Sequence, residues 1–227
     1  MGKSQVKEAG SFDRSIAAVV VGQAAGTGRR GRKAAETRLK LFRCALKLFA
    51  ERGFPNVTVE EITEAADVGK GTFFNYFETK DHVLGVMAEL QVAKIQSCAP
   101  VIAKGERSVR SVLRGLALEL AEEPGRSPDL ARAAISAFLA SALVRGVVSD
   151  RMAVGRKAIA EYVEQGQRRG EMDARLNKEI VAVQFHQALM GTILLWSLDG
   201  RASLAARVEE SFEHFWRAVE RGSGERT

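Results

Sequence analysis

Residues Thr58 to Phe77, TVEEITEAADVGKGTFFNYF, constrain the chain more than any other stretch. Thr58 followed three residues later by Glu61 has the spacing of a capping box, in which side chain and backbone satisfy two orphan helix-start donors reciprocally. The helix it opens carries Ile62 and the small pair Ala65–Ala66 on one face, so a second helix can cross it closely. Asp67-Val68-Gly69 breaks the periodicity, with Gly69 expected to take the turn conformation and Val68 to plug the corner. A second helix is expected over Lys70–Phe77, with Phe73 and Phe77 inward at i,i+4 spacing. Two helices at a steep angle across a short glycine-containing turn form a helix-turn-helix.

That arrangement leaves Lys70, Thr72, Asn75 and Tyr76 facing outward. Lysine, threonine and tyrosine suit phosphate oxygens, and asparagine can hydrogen-bond a base edge. Pattern alone leaves two readings open. One is a DNA-reading unit; the other is a helical hairpin inside an ordinary bundle with a solvated polar face.

The run GKGTFFNYFETKDHVL, within a match over about Ala34 to Leu90, resembles the signature of the tetracycline-repressor (TetR) family of transcriptional regulators. The matching elements are Lys70-Gly71-Thr72, Phe74-Asn75-Tyr76-Phe77 and Lys80. The run departs from it at Gly69, where serine or a basic residue is common, and at Phe74, where tyrosine is common; the lost hydroxyl keeps Phe74 off the contact set. The resemblance implies an all-α chain. It would have an N-terminal three-helix helix-turn-helix DNA-binding domain over 33–80 (helix-turn-helix 58–77). A C-terminal helical ligand-binding and dimerisation domain would follow over 81–221, with tails at 1–32 and 222–227. It implies DNA contacts through Thr37, Thr58, Lys70, Gly71, Thr72, Asn75, Tyr76 and Lys80. Thr37 and Arg38 are placed in the first turn of helix one (Ala35 to Arg52), near the DNA backbone. Lys80 follows the candidate N-cap Thr79. A cation there opposes the helix dipole, a conflict that a bound phosphate resolves.

Charge is unevenly spread. Residues 1–32 hold six basic side chains against two acidic ones, +4 of the chain's +6. They also contain six glycines and no amphipathic period, and read as disordered when free. Either a solubilising extension or an arm along phosphates fits them. The apolar run Ile16–Val21 is too short for a membrane span. Cys44 and Cys98 are isolated, without CxxC spacing, and fit a reducing cytoplasm.

Beyond a helix ending near Ser97, apolar periodicity and breaks place helices at about 107–122, 129–144, 151–169, 179–198 and 203–221. Residues 179–198 are apolar almost all round, which requires burial on more than one face. Their length touches that of a membrane span, but Glu179, Gln184, His186, Gln187 and Thr192 argue against a bilayer. The surplus apolar surface suggests a partner. The resemblance makes that a homodimer through 177–221, with Phe185, Leu189, Ile193, Trp196, Val208, Phe212 and Phe215 at the interface. A cavity lined by Val86, Leu90, Leu116, Leu120, Phe138, Ala142, Tyr162, Phe185, His186 and Leu189 would take a small hydrophobic effector, with Tyr162 and His186 as polar handles. A close-packed core without a cavity fits the same residues.

His82, His186 and His214 are scattered, and no HExxH, GxSxG, P-loop or strand-linked GxGxxG occurs, so no catalytic set, metal site or cofactor is expected. The sequence reads as a bacterial cytoplasmic, nucleoid-associated, dimeric repressor that binds a double-stranded operator and is not membrane-bound. Two alternatives remain. One is a small enzyme or cofactor binder keeping the helix-turn-helix as a bundle element; the other is a ligand-independent, nucleoid-type DNA binder.

Overall fold

The structure, a computed structural model, describes residues 29–222. The basic tail 1–28 and the end 223–227 lie outside the described residues. Among the described residues the regular structure is helical: α1 Arg29–Arg52, α2 Val59–Ala65, α3 Lys70–Phe74, α4 Lys80–Ser97, α5 Ala99–Lys104, α6 Val109–Ala121, α7 Pro128–Ala140, α8 Ala142–Arg168, α9 Lys178–Asp199 and α10 Leu204–Val219.

Local chemistry accounts for most of these ends. Hydroxyl N-caps open α2 (Thr58), α4 (Thr79), α6 (Ser108), α7 (Ser127) and α8 (Ser141), and Asn177 caps α9. Gly105 and Gly200 end α5 and α9 in the left-handed conformation. Pro100 sits in the first turn of α5, where its missing N–H costs nothing. One expected boundary moves. The break expected between 144 and 151 falls instead at Ser141, where α7 and α8 meet at 105°. Ser141 is extended (φ −96°, ψ 119°), accepts the Val144 amide and donates its hydroxyl to Asp81 Oδ1 at 2.7 Å.

Two apolar clusters result. One gathers α1–α3 around Phe42, Phe49, Phe73 and Phe77 and continues into α4, α7 and α8 through Val83, Val86, Leu90, Ala134, Ala137 and Val148. The other joins α6, α8, α9 and α10 around Leu113, Ile159, Phe185, Trp196 and Phe212. Helix α4 serves both, ending in the second cluster at Ile95. It crosses α8 closely. A Cβ on Gly155 would lie 2.8 Å from Ile95 Cδ1, so the glycine leaves room for that side chain. Packing is therefore continuous across residue 80.

Helix α9 is long and apolar enough to cross a membrane. One face, with Val181, Phe185, Leu189, Ile193 and Trp196, is buried inside the chain. The other leaves Ile180, Val183, Leu194, Leu195 and Leu198 exposed.

Candidate DNA-reading face and apolar cavity

The capping box at Thr58 forms as expected: the Glu61 amide donates to Thr58 Oγ1 at 3.2 Å, and the Thr58 amide donates to Glu61 Oε2 at 2.8 Å. These Thr58 bonds, with Arg52 alongside at 2.7 Å, hold the Glu61 carboxyl below its ordinary value. The turn differs from the expectation. Asp67, not Gly69, takes the left-handed conformation (φ 50°), which Asp tolerates better than most residues. Gly69 is an ordinary extended N-cap at φ −72°. Val68 packs on the core as the corner plug, and its amide donates to Thr63 O at 3.0 Å.

Helix α3 ends at Phe74 rather than Phe77, with Asn75 as its C-cap. Phe73 and Phe77 are fully buried, ring centroids 5.3 Å apart, so the opposite face is fixed toward solvent. Lys70, Gly71 and Asn75 are exposed there and Thr72 is half-exposed. Tyr76 is partly buried and packs on the core. An added Cβ at Gly71 would meet nothing within 4 Å, so a flat backbone patch is open to an approaching phosphate. Lys70 pairs with Glu60, whose carboxyl this bond lowers, so a phosphate must displace that carboxylate. Thr58 is exposed but committed to its cap.

Three expectations are corrected. Helix α1 is described from Arg29, so Thr37 lies mid-helix and its hydroxyl donates to Lys33 O at 2.9 Å; it is not in a first turn. Arg38 is buried, with its guanidinium 5.6 Å from the Phe77 ring centroid, and cannot face a DNA backbone. Lys80 is not a free cation at a helix start. Its ammonium donates to the carbonyls of Phe54 (3.0 Å), Pro55 (3.3 Å) and Val57 (2.9 Å) and lies over the Phe54 ring. Those carbonyls resolve the dipole conflict that a phosphate was expected to resolve. Conversely Phe74, left off the contact set for lacking a hydroxyl, is 49% exposed beside Asn75. Phenylalanine can contact a thymine methyl, a chemistry that a search for polar groups overlooks.

Behind this unit an apolar cavity of about 120 Å³ lies where the two clusters meet. Helix α4 lines it with Met87, Gln91 and Ile95, α6 with Leu120, α7 with Ala134, Ile135 and Phe138, α8 with Met152 and Gly155, and α9 with His186, Leu189 and Met190. Of the expected lining, Leu120, Phe138, His186 and Leu189 are in place. Val86, Leu90, Leu116 and Phe185 are instead packed in the cores, and Ala142 is exposed at the start of α8. Tyr162 is no handle: its hydroxyl donates to Ile95 O at 2.7 Å inside the core, and burial pushes its pKa up to about 12. Burial, with Arg156 nearby, lowers the pKa of His186, which favours its neutral form. Beside the cavity, the buried Lys94 ammonium contacts Glu123 at 2.8 and 2.7 Å and Glu119 O at 2.6 Å. Among the described residues no group of three or more His, Cys, Asp or Glu side chains could hold a metal ion.

The expected dimer contacts Phe185, Leu189, Ile193, Trp196, Val208, Phe212 and Phe215 are at most 8% exposed within one chain. They form the core between α9 and α10 and are not available to a partner.

Residues 41–87 match the family model of the bacterial regulatory proteins of the tetR family. The described fold also overlays on the structure of Thermus thermophilus FadR, a TetR-family repressor in complex with lauroyl-CoA, at 27% identity and TM-score 0.56, over 78% of this chain and 92% of that one. Over residues 41–87 the chain is similar to the TetR family. The chain is 47% identical over 58 residues to the HTH-type transcriptional regulator TcmR of Streptomyces glaucescens. The alignment spans 26% of each chain, about a quarter of that relative's length. FadR of Bacillus subtilis, in complex with stearoyl-CoA, shares the fold at TM-score 0.66 and 17% identity over 80% of this chain and 99% of that one.

Proposed function

We propose that the chain is a ligand-responsive transcriptional repressor that binds a palindromic operator as a two-fold dimer. A small, largely apolar effector in the cavity releases it. One observation carries this reading: α4 joins the helix-turn-helix and the cavity in a single rigid element. Its Lys80 clamps the turn between α1 and α2, its Asp81 accepts the Ser141 hydroxyl at the α7–α8 corner, and its Met87, Gln91 and Ile95 form a cavity wall. An effector that favours a shifted α4 would drag the reading helix with it. Contacts to the operator would come from Lys70, Gly71, Thr72, Phe74, Asn75 and Tyr76, phosphate contacts giving affinity and base edges giving sequence. The dimer surface would be the exposed stripe Ile180, Val183, Leu194, Leu195 and Leu198 of α9. A two-fold pairing of that stripe is isologous and closed. Similar structures are complexes with stearoyl-CoA, lauroyl-CoA and triclosan, molecules with large apolar parts, which supports a small-molecule effector here. No catalytic step is part of the proposal, and its setting is the bacterial cytoplasm.

Release requires that the effector bind the operator-free state more tightly, and the coupling is reciprocal. A tenfold loss of operator affinity needs only about 1.4 kcal/mol. Operator affinity measured with and without an apolar ligand of the cavity should fall, and the ligand's affinity should fall by the same factor when operator is present. A cavity ligand that binds equally well in both conditions contradicts this mechanism.

A further inference from the structure

Among the described residues, two buried side-chain polar atoms have no hydrogen-bond partner: Gln91 Oε1 and His186 Nε2. Both side chains line the cavity, one from α4 and one from α9. Buried polar atoms are nearly always partnered, so two orphans on one apolar cavity are a departure that calls for a cause.

The Gln91 oxygen is free for a definite reason. Gln91 Nε2 donates to Glu123 Oε2 at 3.4 Å, and Glu123 is only 2% exposed and held by Lys94. A paired carboxylate only accepts, so it takes the amide NH₂ and turns the carbonyl oxygen away. Reversing the amide would set oxygen against oxygen. The charge pair thus fixes Gln91 as an acceptor. His186 is held neutral by burial and can donate or accept at Nε2 according to tautomer. Among the described residues, the one charged side chain on the lining, Arg151, is engaged by Glu89 at 3.2 Å.

Resting on the effector reading of this cavity, we infer that its ligand is a neutral, largely apolar molecule bearing a hydroxyl, a phenol or an alcohol, which donates to Gln91 Oε1 and pairs with His186 Nε2. Both protein atoms are already shielded from solvent, so their desolvation is complete before the ligand arrives and the new bonds are gained without it. A hydrocarbon leaves both orphans as they were. A carboxylate brings no donor for Gln91 and sets a second anion beside Glu123. The lining Met87, Met152 and Met190 are unbranched and reshape to admit the ring. The cavity is on the order of the ~150 Å³ apolar cavities that admit benzene, so the probes should be of that size.

The test uses the full chain and three shape-matched probes, 4-ethylphenol, ethylbenzene and 4-ethylbenzoate, titrated calorimetrically. The phenol is expected to bind at least about tenfold more tightly than ethylbenzene, against the hydrocarbon's greater transfer tendency from water. Gln91→Leu should erase that preference while ethylbenzene binds as before or better. His186→Phe, which leaves Glu123 its partners, should reduce the preference independently and serves where Gln91→Leu fails to fold. Ethylbenzene binding as tightly as the phenol, or 4-ethylbenzoate binding tightest, overturns the hydroxyl inference and leaves the effector cavity standing. A preference for the phenol that survives both substitutions also overturns it. Failure of all three probes to bind at millimolar concentration overturns the inference together with the effector reading.

Discussion

Glu123→Ala is expected to lower stability by about 3–5 kcal/mol, because it leaves a buried ammonium without its counter-ion. Lys94 is 6% exposed, and both Glu123 oxygens lie within hydrogen-bond distance of its Nζ. The remaining partners would be the Glu119 carbonyl and Glu122, whose carboxylate is 3.8 Å away and 37% exposed. Neither replaces a direct charge-assisted pair. The pair itself need not stabilise the fold, since two ions were desolvated to make it. Lys94→Met combined with Glu123→Leu is therefore expected to be near neutral. Urea unfolding of Lys94→Met, Glu123→Leu and the double variant closes the cycle, with Glu123→Ala measured beside them. A loss under about 1 kcal/mol for Glu123→Ala would show that Glu122 takes over the ammonium.

Glu substitutions on the exposed stripe of α9 have the second large effect, and it falls on assembly rather than folding. Leu195 and Leu198 are 62% and 67% exposed in the single chain, so Leu195→Glu with Leu198→Glu leaves each carboxylate solvated there. Across a two-fold axis the same substitutions crowd four carboxylates against apolar neighbours. The variant is expected to keep its helicity and melting transition and to sediment as a monomer at micromolar concentration. A monomer loses the second, effectively intramolecular half-site contact, so operator affinity should fall by about 10²-fold or more. Phe212→Glu should behave differently and unfold the chain, because Phe212 is 4% exposed in the core between α9 and α10. A dimeric Leu195→Glu/Leu198→Glu protein would move the interface away from this stripe.

These cases show which features can be read along the chain. The Thr58–Glu61 box, the Thr79 cap and the inward Phe73 and Phe77 are local, set by spacing within one or two turns, and the structure has them as expected. Helix α9 was expected to be buried on more than one face, yet within the chain only one face is buried, and an all-round apolar pattern has no phase. Nothing in it says whether Phe185 or Leu195 meets the chain's own core, and the residues expected at the interface lie in that core. The cavity was legible only in part for a related reason. A void is a difference between packed volumes, so Phe138 and His186 line it while Leu90 and Leu116, no less apolar, fill the cores. Lys80 and Ser141 depend on partners 23 and 60 residues away, Val57 O and Asp81, which no local pattern reveals.

Selection of bound duplexes from a random DNA pool tests two-fold, sequence-specific recognition most directly. A single palindrome is expected to be enriched, with half-sites about one helical turn or a multiple of it between centres. Retention of all sequences alike, or enrichment of one unrepeated site, would contradict a dimeric operator-binding repressor.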